Sequence, residues 1–220
     1  MVKYIYAGFP KCGTKTMARV FTNLGLRVHD FEDSLLYSLD DWLLFCRTRG
    51  TSSKSICKDI LYRIFKDFDV VTDAPGVLFW NELMEVFPEA KVIFWERDED
   101  QWWKSFERQM NEWTPLIYPY PDLVMETYHF IFNPTRLKFR RLMMELDPLL
   151  IGTPCFYKRT FSGKTWQISE LHAKRVYRQH CSDVLRNCDK DKILILDSIR
   201  DEKGDNMNRP KTQLLTFKCE

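Results

Sequence analysis

Hydrophobic and polar positions along this chain switch repeatedly between strand-like and helix-like periods. Lys3-Tyr4-Ile5-Tyr6-Ala7 is a short aromatic and apolar run that predicts a buried strand. Met17, Val20, Phe21 and Leu24 then recur at helical spacing, and Gly25 is a natural stop. Arg27–Asp30 predicts a short second strand. Leu35, Leu36, Leu39, Leu43 and Leu44 share one face of a helix over 34–47, and Ile56, Ile60, Leu61, Ile64 and Phe65 mark a helix over 55–65 that residues 51–53 can cap. Asp69–Thr72 reads as a buried strand broken by Asp73-Ala74-Pro75-Gly76, and a helix over 79–87 is closed by Pro88. Lys91-Val92-Ile93-Phe94-Trp95-Glu96 is nearly all apolar, as buried parallel strands are. Asp98 can then cap a helix running to about Met110, with Gln101 completing a capping box. A loose stretch over 113–121, helices over 122–132 and 135–146, a loop over 151–164, a helix over 169–187 and a last strand over 192–197 complete the pattern. Strands alternate with helices throughout. The expected fold is α/β, a parallel sheet with helices on both faces. Ligands of such sheets sit beyond the carboxyl ends of the strands, where Asp73, Arg97 and Asp197 all fall.

Between the first strand and the first helix lies Ala7-Gly8-Phe9-Pro10-Lys11-Cys12-Gly13-Thr14-Lys15-Thr16-Met17. Two glycines let such a loop turn sharply and approach a ligand closely. The first N–H groups of the following helix have no internal partner, and Lys11, Lys15, Thr14 and Thr16 add charge and hydroxyls beside them. The stretch reads as a phosphate-binding loop; the alternative is a strand–helix turn that tolerates glycine. Gly8 and Gly13 have the spacing of a nucleotide-triphosphatase loop, but Thr14 stands where that loop carries its Lys. A second anion site can be built from Arg97, at a strand end, and Ser105, on the next helix. A guanidinium fork suits phosphate oxygens, although an Arg so placed can equally serve as a salt-bridge partner.

Length and composition narrow the picture. A chain of 220 residues, 45% hydrophobic, suits one α/β domain with a sizeable core. A net charge of +2 argues against nucleic-acid binding through bulk charge and leaves a local basic pocket open. The chain runs straight into its first strand without a signal peptide or long apolar span, so a cytoplasmic protein with no membrane span is expected. Seven cysteines at 12, 46, 57, 155, 181, 188 and 219 lack metal-ligand spacing and are expected as reduced thiols. Cys12, at a helix start between lysines, is expected to have a depressed pKa and to be reactive.

The residues from Phe9 to Thr16 resemble the 5′-phosphosulfate loop of sulfotransferases, and Arg97 followed eight residues later by Ser105 resembles their 3′-phosphate motif. More narrowly, the chain is similar to the P-loop sulfotransferase-like family. That family has Gly-x-Pro-Arg/Lys-x-Gly-Thr near its N-terminus, an Asp-x-Pro matched by Asp73-Ala74-Pro75, and a Pro-x-Ala-Lys-x-Ile then Arg-Asp-x-x-x-Trp-x-x-Ser run matched from Pro88 to Ser105. The likeness covers roughly residues 4 to 198. After its last strand the family continues with Gly-Trp-x-Pro-Leu-Cys, where this chain reads Ser198-Ile199-Arg200-Asp201-Glu202-Lys203. The expected organisation is therefore a domain over 1–200 and an atypical, mobile tail over 201–220.

The resemblance implies a three-layer P-loop NTPase-like fold and an enzyme that moves a sulfuryl group from 3′-phosphoadenosine 5′-phosphosulfate (PAPS) to a hydroxyl or amine of a small-molecule acceptor, without a metal. It implies donor contacts from Pro10, Lys11, Cys12, Gly13, Thr14, Lys15, Thr16, Arg97 and Ser105. Lys11 and the loop amides would stabilise charge on the bridging oxygen. Asp73 would be the base, since His29, His129, His172 and His180 have no compelling position at a strand end. Two other readings stand beside this one. The first is a nucleoside or small-molecule kinase using Asp73 or Asp197 to hold Mg²⁺; the second is a non-catalytic relative acting as an interaction module. Aromatics at 42, 45, 113, 118, 120, 128 and 130 are expected in lids suited to a flat or apolar acceptor. The sequence gives no oligomeric state.

Overall fold

A computed structural model describes residues 1–50, 53–117, 133–152, 156–160 and 163–196. Five parallel strands form the main sheet: β1 (Tyr4–Tyr6), β2 (Val28–His29), β3 (Val70–Val71), β4 (Lys91–Trp95) and β7 (Ile193–Leu196), in the order β2-β3-β1-β4-β7. Tyr4 and Ile5 align with Val70 and Val71 on one side of β1, while Tyr4, Ile5 and Tyr6 align with Lys91, Val92 and Ile93 on the other. The chain therefore passes from β1 to the edge strand β2, returns to β3 beside β1, and then crosses to build on the other side with β4 and β7. That reversal opens a crevice at the carboxyl ends of β1 and β4, where open α/β sheets bind ligands.

Strand alternation decides which layer each side chain joins. Tyr6, Val70, Ile93 and Leu196 face Met17 and Phe21 of α1 (Thr14–Asn23). Ile5, Ala7, Val71, Val92 and Phe94 face the larger core on the opposite side. That core is filled from α3 (Leu39–Thr48), α4 (Lys54–Phe65), α5 (Trp80–Val86), α6 (Glu99–Ile117), α7 (Pro134–Leu150) and α8 (Glu170–Asn187). A short α2 (Phe31–Leu36) precedes α3, and a single 3-10 turn over Gly76–Phe79 leads into α5. Helices thus cover both faces, as the alternation of elements predicted.

Local signals placed several boundaries correctly. Ser53 accepts from the Ser55 amide and Asp98 from the Gln101 amide, capping α4 and α6. Other expectations are corrected. The helix expected over 34–47 is two, separated at Tyr37 and Ser38, because Asp30 and Asp33 form a capping box that starts α2 earlier. The stretch from Trp113 to Ile117, expected to be loose, continues α6. Within the expected loop over 151–164, Phe156–Thr160 pairs antiparallel with Gly163–Gln167 as a separate β5–β6 hairpin. Trp42 and Phe45, expected in a lid, are fully buried in the core, where Trp42 stacks on Phe79 and Phe45 meets it edge-on. Asp197, the helix over 122–132, the tail over 201–220 and the aromatics at 118, 120, 128 and 130 lie outside the described residues. No helix among those described is long and apolar enough to cross a membrane.

Candidate functional site

The loop after β1 owes its shape to close contacts that only glycine allows at two points. A Cβ on Gly8 would lie 2.6 Å from the Tyr6 hydroxyl, and one on Gly13 would lie 2.6 Å from the Trp95 ring. Gly13 is also left-handed at φ 78°, as is Lys11 at φ 74°. Left-handed residues bracketing Cys12 are the kind of alternation from which anion-binding nests of backbone N–H groups are built.

The carbonyls of this loop are almost all turned into the protein. His180 Nε2 donates to the Ala7 oxygen at 2.7 Å, and the Cys12 amide to the Phe9 oxygen at 2.9 Å. Trp102 Nε1 donates to the Pro10 oxygen at 2.9 Å and Arg97 Nη1 to the Lys11 oxygen at 3.4 Å. The Tyr6 hydroxyl donates to the Cys12 oxygen, and the Met17 amide closes on Gly13 at 2.9 Å. With these carbonyls engaged, they do not crowd an anion held at the loop. No side chain caps the N-terminus of α1, and its first turn carries no acidic residue. Its leading amides and dipole therefore present a positive end beside Lys11.

Arg97 leaves β4 next to this loop. It is half-buried, and its Nε is buried without a hydrogen-bond partner. An unsatisfied guanidinium N–H is costly in a finished core, so this group suits an incoming anion. Ser105 lies half-buried on α6, and Thr16 half-buried on α1. Lys15 is exposed, and its ammonium bonds Asp30 at 2.7 Å and also Glu32, on the β2–α2 side.

Asp73 stands directly beyond β3, beside the strand that feeds the loop. It takes a left-handed φ of 61°, which Asp tolerates better than most residues, and the following Ala74–Pro75 bond is cis. Its Oδ2 accepts from Thr14 Oγ1 at 2.9 Å and its Oδ1 from the Ala74 amide at 2.8 Å. Burial pushes its pKa up to about 6. The Ala74 amide opposes that shift, nearby Asp30 adds to it, and Thr14 and Lys15 oppose it. The structure thus brings Lys11, Gly13, Thr14, Arg97 and Asp73 to one end of the sheet.

Cys12 corrects the reading of a reactive thiol. It is buried, and that burial pushes its pKa up to about 12, against lesser lowering by the Tyr177 hydroxyl and Arg97. A helix-start argument assumes solvent, and the fold removes it. Sequence reasoning also missed His180, Tyr177 and Trp102 as supports of the loop. Their only signal was burial on α6 and α8; what each touches depends on tertiary structure. His29, at the end of β2, is buried between Phe65 and Phe68, which holds it neutral with a pKa lowered to about 4.

At the topological switch point of an open α/β sheet, a glycine-bracketed loop with its carbonyls tied back by His180, Trp102, Arg97 and Tyr6 thus meets an arginine with an unpartnered Nε and a carboxylate of raised pKa. The chain belongs to the sulfotransferase domain family, whose profile matches residues 3–200. It is also 26% identical over 125 residues to the Ava biosynthesis cluster protein M of Aspergillus versicolor, an alignment covering 52% of this chain and 48% of that protein. The chain thus aligns with about half the length of this curated relative.

Proposed function

We propose that the protein is a PAPS-dependent sulfotransferase acting on a hydroxyl or amine of a small acceptor. The observation that carries the reading is the juxtaposition of two anion-seeking elements. The amide-rich loop around Lys11 and Gly13 suits a 5′-phosphosulfate, and Arg97, with its buried unpartnered Nε, suits a 3′-phosphate. A nucleotide carrying phosphates at both ends of its ribose satisfies both, whereas a triphosphate uses one.

The donor brings the transferable sulfuryl group, and the remaining work falls to the chain. Lys11, Gly13, Thr14, Lys15 and Thr16 supply the loop, chiefly through backbone N–H groups, while Pro10 and Cys12 shape it through the bonds of the Pro10 carbonyl to Trp102 and of the Cys12 amide to Phe9. Lys11 adds the positive charge that favours the leaving phosphate. Arg97 and Ser105 orient the nucleotide by its other end. Asp73 takes the acceptor's proton; a carboxyl of raised pKa is a stronger base than a free one and stays ionised at neutral pH. Thr14 links the two halves of the site, since it opens α1 at the loop and donates to Asp73. That same contact counts against a kinase, whose loop carries Lys at this position.

Incubating the full chain with labelled PAPS and a mixture of phenolic, alcoholic and amine acceptors, with products read by mass spectrometry, tests the proposal. Sulfated product formed without added metal supports it. Phosphoryl transfer from ATP–Mg²⁺ in the absence of any sulfated product contradicts it.

A further inference from the structure

We propose that Tyr177 is a positioning residue whose hydroxyl fixes the spacing between the loop and Arg97, and so sets selectivity for a nucleotide with two separated phosphates. The inference rests on the two-anion reading above. Tyr177 is buried on α8, one turn before His180. Its hydroxyl donates to the Arg97 carbonyl at 2.6 Å, accepts from the Arg97 amide at 2.9 Å, and meets the Cys12 thiol at 3.8 Å. One oxygen therefore touches both the backbone of the arginine and the middle of the loop. Its hydrogen bonds are complete: the single proton goes to the Arg97 carbonyl, while the lone pairs take the Arg97 N–H and the Cys12 S–H.

The ring is held as firmly as the hydroxyl. It stacks on Trp102 at 4.4 Å and 10°, and meets Phe9 edge-on at 5.8 Å. Trp102 in turn bonds the Pro10 carbonyl, and His180 from the same face of α8 bonds the Ala7 carbonyl. Burial lowers the pKa of His180 and keeps it neutral, so Nε2 can carry the proton that the carbonyl needs. The loop is thus tied at Ala7, Pro10 and Cys12 to side chains that all pack against Phe9. Only Tyr177 among these three supports reaches Arg97 as well. Two anion sites locked at one separation bind a matched bisphosphate with little reorganisation. If they are free to drift, they bind it little better than either phosphate alone.

The test is calorimetric titration of wild type and Tyr177→Phe with adenosine 3′,5′-bisphosphate, adenosine 2′,5′-bisphosphate and adenosine 5′-phosphate. The Phe variant keeps the stacked ring and removes only the hydroxyl. Wild type should prefer the 3′,5′-isomer over both others by at least about tenfold, and Tyr177→Phe should lose most of that preference while binding the 5′-phosphate within about twofold of wild type. Trp102→Phe, which removes the hydrogen bond to the Pro10 carbonyl while keeping an aromatic ring against Tyr177, should weaken all three ligands in parallel. If Tyr177→Phe keeps the wild-type ratios, the hydroxyl is only structural and the inference falls while the two-site reading stands. If wild type itself does not distinguish the 3′,5′-isomer from the 5′-phosphate, both fall. The comparison of the two bisphosphates on wild type needs no variant to fold: equal binding of the isomers shows an unfixed spacing and overturns the inference by itself.

Discussion

Replacing Asp73 by Asn separates the chemistry of this residue from its role in the fold. Asn tolerates the left-handed φ of 61° as Asp does, and its amide can still accept from Ala74 and bond Thr14. What it lacks is the ability to take a proton. Transfer should therefore fall by roughly 10²–10⁴-fold, equivalent to about 3–5 kcal/mol of barrier, with donor affinity nearly unchanged. In the wild type the rate should rise with pH and level off above about 6, and the variant should lose that rise. Thr14→Val removes a hydrogen bond that favours the carboxylate, so the rise should move to higher pH. Stability should respond in the opposite sense to activity. Burial lifts the carboxyl from 3.8 to about 6, so between those values the folded state binds more protons than the unfolded one. Stability from this group is then lost as pH rises through the window, by roughly 3 kcal/mol. Asp73→Asn removes that penalty and should raise the neutral-pH melting temperature by several degrees. Turnover at saturating donor from pH 5 to 8, paired with thermal unfolding, reads both effects. A variant that unfolds or loses donor binding, with turnover per bound donor intact, refutes the assignment of Asp73 as base.

Three further outcomes follow from the geometry. His29 acts with the opposite sign to Asp73: its folded pKa of about 4 lies below its ordinary 6.5, so its contribution is full above pH 6.5 and lost on acidification toward 4. His29→Leu should flatten the acid limb of a urea-unfolding series, and an unchanged limb would show that protonation of His29 does not drive it. Gly13→Ala forces a Cβ to within 2.6 Å of Trp95 at φ 78°, which should cost roughly 2–4 kcal/mol in thermal unfolding; a variant as stable as wild type would mean the loop relaxes freely. Cys12 should resist alkylation at pH 8 in the folded protein and label readily in denaturant, as peptide mapping would show, whereas rapid native labelling would contradict its burial.

Most of the sheet and the outline of the site were legible because they rest on local signals. β4 is a nearly pure apolar run, Gly8 and Gly13 bracket a strand–helix junction, and Pro75 and Gly76 end β3 beside Asp73. The features that were not legible depend on contacts between distant elements. Tyr177 and His180 read as core positions of an amphipathic helix, since nothing local shows that a hydroxyl 80 residues away meets Arg97 or that an imidazole meets Ala7. Cys12 misled because its sequence neighbours promise charge stabilisation, while Tyr177 and the helices around it exclude the water that a thiolate needs. The β5–β6 hairpin was missed because its strands mix Lys and Arg with aromatics and lack the β-branched runs that mark buried strands. The tie between Lys15, Asp30 and Glu32 is likewise set by where α2 begins, which the capping box of Asp30 and Asp33 decides.

The proposed function requires one crevice with two anion sites, matched to a nucleotide phosphorylated at its 3′ and 5′ ends. Calorimetry of the full chain and of Arg97→Ala with 3′-phosphoadenosine 5′-phosphate, adenosine 5′-phosphate and ATP–Mg²⁺ tests for both sites at once. The bisphosphate should bind without metal and more tightly than ATP–Mg²⁺, and Arg97→Ala should remove this advantage while sparing adenosine 5′-phosphate. Preferential binding of ATP–Mg²⁺, or equal losses for the bisphosphate and adenosine 5′-phosphate in Arg97→Ala, would contradict the proposed function.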